Sequence, residues 1–166
     1  RDGGDGALHV CDLSLGTHVK KVCVVAVGKI KESYLRDGIA EYAKRLSRFC
    51  DFSVKECEES PRQDVESEGK ALLSSMDGSY NILTDRGGED VSSERLARIV
   101  SEAFSKADRV NFVVGSSRGV ADKVRDKADK VISFGRATYP HMLFRLMLCE
   151  QIYRAFAINA KLPYHK

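Results

Sequence analysis

Between Lys21 and Gly28 the chain reads Val22-Cys-Val-Val-Ala-Val27 without a polar break. An apolar run this short and continuous is the mark of a strand buried on both faces, because a sheet with one wet face would alternate instead. The pattern returns at Val110 to Val114, which stops at Gly115, and in weaker form at Phe52 to Glu56, Tyr80 to Thr84 and Lys130 to Ser133. Helical segments fall between these strands. Leu35, Ile39, Tyr42, Ala43 and Leu46 share one helical face over 35–48, and further helices are expected over 64–75, 92–106 and 121–127. Ser92 is placed to cap the third of these, with Glu94 near the positive end of its dipole. The alternation predicts an α/β fold with a mainly parallel sheet flanked by helices, and it puts ligand sites at the carboxyl ends of the strands.

The chain of 166 residues, 43% hydrophobic and 31% charged, has the balance of one globular domain. Residues 1–19, rich in glycine and aspartate and lacking periodicity, are expected to be a flexible extension, with residues 20–166 as the domain. The five cysteines are scattered, odd in number and never in a C-x-x-C arrangement, so neither a disulfide framework nor a zinc site is indicated. His9, Cys11 and His18 in the extension are too dispersed to argue for a metal. A net charge of +3 does not by itself mark a nucleic-acid binder. No membrane-length apolar stretch and no secretory leader is visible, and a cytoplasmic protein without metal or membrane is expected.

The last long helix, about 140–161, differs from the others. Met142, Leu143, Phe144, Leu146, Met147, Leu148, Ile152, Tyr153, Phe156 and Ile158 surround it, and a helix apolar on all sides must be covered on all sides. Either it is central in a monomer, or a second copy covers what the sheet leaves bare; the small size of the domain favours a homodimer.

Two loops follow strands and carry small residues. Gly115-Ser-Ser-Arg-Gly119 would let a ligand approach the backbone, although it is neither a Walker A loop nor a complete G-x-G-x-x-G fingerprint. Phe134-Gly-Arg-Ala-Thr-Tyr139 leads into Pro140 and the long helix, where Thr138 is expected as the cap and Pro140 in the first turn. On that helix His141 and Arg145, four apart, share one face, while Glu150 and Arg154, also four apart, fall on roughly the opposite one, so two polar pairs are expected. The chain ends Pro163-Tyr-His-Lys166, an aromatic and basic tail suited to stacking on a base and contacting phosphate, unless it is simply frayed.

Taken in order, Val25-Ala-Val-Gly-Lys-Ile-Lys31, Tyr34-Leu-Arg-Asp-Gly-Ile-Ala-Glu-Tyr42, Phe112-Val-Val-Gly115, Thr138-Tyr-Pro-His141, Glu150-Gln-Ile-Tyr-Arg-Ala-Phe156 and Pro163-Tyr-His-Lys166 resemble the RlmH family of large-subunit rRNA pseudouridine N3-methyltransferases. The resemblance implies a SPOUT fold with a C-terminal trefoil knot, a homodimer, S-adenosylmethionine as methyl donor, and ribosomal RNA in the large subunit or assembled ribosome as partner. It implies cofactor binding by Thr84, Gly115, Phe134, Gly135, Arg136, Ala137, Thr138 and Tyr139. For such a methyl transfer, catalysis is expected from Glu150, Arg154, Tyr164 and His165, the last two reaching across from a partner subunit. His165, Glu150 or a water would take the proton, and Arg154 would stabilise the charge that develops on the base. Ser116 stands where the family often has a second glycine, and Gly135-Arg136-Ala137 replaces a more usual Ser-Lys-Met-like stretch. A non-catalytic RNA-binding domain on the same fold is the competing expectation.

Overall fold

The structure, a computed structural model, describes residues 18–164. The expectation for residues 1–19 therefore lies almost wholly outside the described residues, as does that for His165. Five strands and five helices alternate: β1 (Lys21–Val27), α1 (Ser33–Leu46), β2 (Asp51–Cys57), α2 (Val65–Met76), β3 (Tyr80–Asp90), α3 (Ser93–Lys106), β4 (Arg109–Val114), α4 (Asp122–Lys127), β5 (Lys130–Ser133) and α5 (His141–Asn159). The strands form one sheet in the order β2-β1-β4-β3-β5, and every neighbouring pair is parallel. All strand carboxyl ends therefore lie along one edge, where the loops collect.

The unbroken apolar runs are explained by what covers each face. Val22, Val24 and Ala26 of β1 join Val110, Phe112 and Val114 of β4 in a core shared with α3 and α5. Val25 and Val27, with Leu83 and Val113, face a second core against α2 and α4 built from Leu72, Met76 and Val124. Successive side chains thus enter opposite cores, each fully buried aliphatic one contributing roughly 1.5–3 kcal/mol. Burial pushes the Cys50 and Cys149 thiols up to about 12, so both are inert packing groups at neutral pH.

Helix starts follow local chemistry. The Ser92 hydroxyl accepts the Arg95 N–H at 3.1 Å, as its sequence position implies, and the Asp64 carboxylate accepts that of Glu66 at 3.0 Å. α5 departs from expectation. It begins at His141 with Pro140 as its cap residue and no side-chain cap, because Thr138 lies two residues too early and its hydroxyl accepts a bond from Arg86 instead.

β3 also runs further than its apolar residues suggest. Ile132 of β5 is the register partner of both Thr84 and Glu89, so residues 85–88 bulge out of the ladder before pairing resumes. Gly88 permits this: a Cβ there would lie 2.6 Å from the Ile132 nitrogen. The excursion carries Asp85 and Arg86 to the carboxyl edge of the sheet.

Candidate functional site

Three strand ends converge on one cavity of about 580 Å³, within the range of small-molecule sites. β3 supplies Thr84, Asp85 and Arg86; the loop after β4 supplies 115–120; the loop after β5 supplies Phe134, Gly135, Ala137, Thr138 and Tyr139; and α5 closes the side with His141 and Phe144. One wall is aromatic, with the Phe144 ring 5.8 Å from that of Phe134 and 6.2 Å from that of Tyr139.

The glycines make backbone available to a ligand. Gly119 and Gly135 take φ of +94° and +95°, with open space where a Cβ would stand. Gly115 is required differently: a Cβ would lie 2.5 Å from the Gly119 carbonyl oxygen, because the loop folds back through a Ser116 to Gly119 bridge. The loops are also pinned to one another. The Arg86 guanidinium donates to the Thr138 hydroxyl, joining the β3 bulge to the loop after β5. Ser133 Oγ donates to the Gly135 carbonyl at 3.1 Å and shapes that loop from within. Asp85 accepts Arg125 Nη1 at 2.8 Å and the Gly87 N–H at 2.8 Å, and the Arg125 hydrogen bond holds its carboxyl below the usual range. An ionised carboxylate therefore faces the cavity at neutral pH.

Every residue expected to bind cofactor lines this cavity except Arg136, whose backbone belongs to the loop while its exposed side chain is not part of the wall. The Thr84 hydroxyl donates to the Val113 carbonyl at 3.1 Å, so it ties β3 to β4, and what it offers a ligand is mainly backbone. Asp85, Arg86, His141 and Phe144 also line the cavity and were not read as such from the sequence. The Gly87-Gly88 pair just past a strand was the available signal for a bulge.

The expected pairing of His141 with Arg145 does not form. Arg145, with no exposed surface, donates to Glu56 at 2.9 Å and to the Val27 and Gly28 carbonyls at 3.0 and 3.1 Å. Its length lets it reach past its own helix to the ends of β1 and β2, where carbonyls lie beyond the sheet ladder. His141 lies 3.8 Å from Glu59 instead, with its Nε2 buried and without a hydrogen-bond partner.

The other pair forms as expected. Glu150 Oε1 accepts Arg154 Nη2 at 2.7 Å and Nε at 3.1 Å. The Tyr164 hydroxyl joins the same oxygen at 3.1 Å, and Gln151 donates to the other oxygen at 2.9 Å. The Tyr164 ring packs edge-on against Tyr153 at 4.8 Å, with the Arg154 guanidinium 4.7 Å from its centre. Burial and the Glu150 charge raise the Tyr164 phenol to about 12, which keeps it protonated and a donor.

This cluster does not line the cavity of the same chain. The cavity wall reaches α5 at His141 and Phe144, and Glu150 lies six residues beyond Phe144, roughly 9 Å along the helix and about 120° around it. Among the described residues no group of three or more His, Cys, Asp or Glu is placed to hold a metal ion, and no helix is long and apolar enough to cross a membrane.

A family model described as "Predicted SPOUT methyltransferase" matches residues 20–165. A Ribosomal RNA large subunit methyltransferase H from Carboxydothermus hydrogenoformans is 43% identical, with 88% of this chain and 99% of that protein covered. The protein of the same name from Lactobacillus johnsonii is 44% identical, with 86% and 98% covered. Among solved structures, a tRNA (m1G37) methyltransferase from Aquifex aeolicus superposes with a TM-score of 0.51 at 15% identity over 82% of this chain and 69% of its own. A probable methylase family protein from Haemophilus influenzae gives 0.54 at 11%, over 87% and 70%. At such identities the solved structures speak for the fold alone.

Proposed function

Because the chain belongs to the SPOUT methyltransferase family and, within it, to the group of ribosomal RNA large subunit methyltransferases H, we propose that it methylates N3 of a pseudouridine in large-subunit (23S-type) ribosomal RNA, using S-adenosylmethionine. The observation that carries this reading is the cavity at the strand ends. It has the volume for a nucleoside-sized cofactor, an aromatic wall for a base, and glycines that open the backbone at Gly119 and Gly135. Phe134, Gly135, Ala137, Thr138 and Tyr139 would hold it from one side, and Thr84 and Gly115 from the other. The family's C-terminal trefoil knot is part of the same proposal, supported by the matching fold.

When bound, S-adenosylmethionine supplies an electrophilic methyl group on a sulfonium. The protein's task is then alignment and proton control. Both Glu150 oxygens already accept donors, so Glu150 positions Arg154 and Tyr164 rather than serving as the base. Arg154, oriented by Glu150, would stabilise the negative charge that spreads over the two carbonyl oxygens flanking N3. A protonated Tyr164 donates and stacks. That leaves His165 or a water to accept the N3 proton.

A homodimer completes the arrangement. Leu143 on α5 remains 37% exposed, and Met142, Leu146 and Met147 nearby are only half-buried, a face that a second copy would cover. The partner's Glu150, Arg154 and tail would then face the cavity of the first copy. A cytoplasmic setting among ribosomes follows from this substrate.

The reading is tested by incubating the protein and labelled S-adenosylmethionine with large ribosomal subunits lacking the modification, then digesting the RNA for mass spectrometry. One 3-methylpseudouridine per subunit is expected; no label in RNA would overturn the assignment. Within the cavity, Gly115→Ala should weaken S-adenosylmethionine binding at least about tenfold, since a Cβ 2.5 Å from the Gly119 carbonyl must push the loop into the space the ligand needs. Calorimetry reads this directly, and an unchanged Kd would remove Gly115 from the site.

A further inference from the structure

The mouth of the cavity carries three arginines, one from each loop. Arg86 comes from the β3 bulge, Arg118 from the loop after β4 and Arg136 from the loop after β5, and all three are exposed. None forms an ion pair with a carboxylate among the described residues, although Asp85 lies beside Arg86 in sequence; Asp85 is engaged by Arg125. Two of the three are held in place. Arg86 donates to the Thr138 hydroxyl, and Arg118 Nη1 donates at 2.6 Å to the carbonyl of Gln63, a residue in a left-handed turn with φ of 56°. Among the described residues Arg136 has no partner of this kind, and its exposed side chain is not part of the cavity wall.

Uncompensated guanidinium groups around an opening suit an anion larger than one carboxylate and outside the cavity. From this geometry we propose that Arg136, together with Arg86 and Arg118 from the loops of the two neighbouring strands, grips the phosphodiester backbone of the RNA beside the target nucleotide, setting that nucleotide over the cavity mouth. The inference rests on the reading of the protein as an RNA methyltransferase and extends it to how the strand is held. Guanidinium groups match phosphate oxygens bidentately, and each such contact releases counterions from the nucleic acid. The three arginines therefore contribute mostly to salt-dependent substrate affinity, while the cavity residues govern the cofactor.

The test compares the wild type with Arg136→Ala and Arg136→Lys, measuring KM for large ribosomal subunits, filter binding of an rRNA stem-loop fragment over a salt series, and S-adenosylmethionine affinity by calorimetry. Arg136→Ala should raise the subunit KM about tenfold, the equivalent of one charged contact. It should also flatten the slope of log affinity against log salt by about 0.7–1, with the cofactor Kd changed less than about twofold. Arg136→Lys should recover most of the salt slope and part of the KM. An unchanged RNA slope, or a loss confined to cofactor affinity, would overturn the proposal, the latter assigning Arg136 to the cofactor's carboxylate. Because RNA binding is read without turnover, a wild type that binds the fragment but methylates nothing would count against the assigned function and leave the arginine test standing.

Discussion

Arg145→Ala is expected to lower the melting temperature by about 10 °C or more. The guanidinium has no exposed surface and serves three acceptors at once: Glu56 and the carbonyls of Val27 and Gly28. Removing it leaves two backbone carbonyls unpaired at the ends of the strands and a hole beneath α5. Each buried carbonyl left without a donor costs about 1–3 kcal/mol, with the lost packing in addition, and each kcal/mol moves the melting point roughly 2–4 °C in a domain of this size. Arg145→Lys should recover little, because a single ammonium cannot span three acceptors in different directions. Glu56 is half-exposed and also accepts the Ile30 N–H at 2.8 Å, so Glu56→Gln should be milder than either. Thermal unfolding of the three variants checks the order, and an Arg145→Ala protein as stable as the wild type would show that the buried network is not what anchors α5.

Removing residues 164–166 should reduce methyl transfer by at least about a thousandfold while leaving S-adenosylmethionine affinity within about twofold. Tyr164 is built into the cluster on α5 through Glu150, Arg154 and Tyr153, none of which lines the cofactor cavity of its own chain. On the proposed reading, loss of the tail removes groups that act on the nucleotide, not on the donor. Arg154→Ala should cost about a hundred- to a thousandfold in kcat, the range found when one charge-stabilising donor is removed from a preorganised site. Single-turnover kinetics at saturating cofactor measure both. A comparable loss of cofactor binding would mean that the tail supports the cavity instead.

Much of this was legible because local pattern and tertiary demand agree. β1 and β5 fall on the residues that their apolar runs mark, and Ser92 caps α3 because nothing competes for its hydroxyl. The loops after β4 and β5 were legible as strand ends with small residues, the cavity they share only through a family resemblance. What escaped was non-local. Arg145 finds Glu56 across 89 positions of sequence, so helical spacing alone pointed to His141. Thr138 was expected to cap α5, yet Arg86 claims it from 52 positions away. The β3 bulge reads as a turn because re-pairing at Glu89 depends on β5, which lies more than forty residues later. Arg136 was counted with the cofactor loop by position, but a loop's backbone and its side chains need not serve the same ligand.

On the proposed reading, one working site takes its cofactor loops from one subunit and its catalytic tail from another. Two folded variants, Gly115→Ala and the chain lacking residues 164–166, assayed with cofactor well below the wild-type Kd, should each keep about a tenth of the wild-type rate or less when alone. When their subunits are allowed to exchange in equal amounts, half of the dimers are mixed, and each mixed dimer regains one intact site of two, so about a quarter of the wild-type rate should return. If the tail served the cavity of its own chain, no pairing of these variants would contain an intact site, and the mixture would stay at the level of the variants alone.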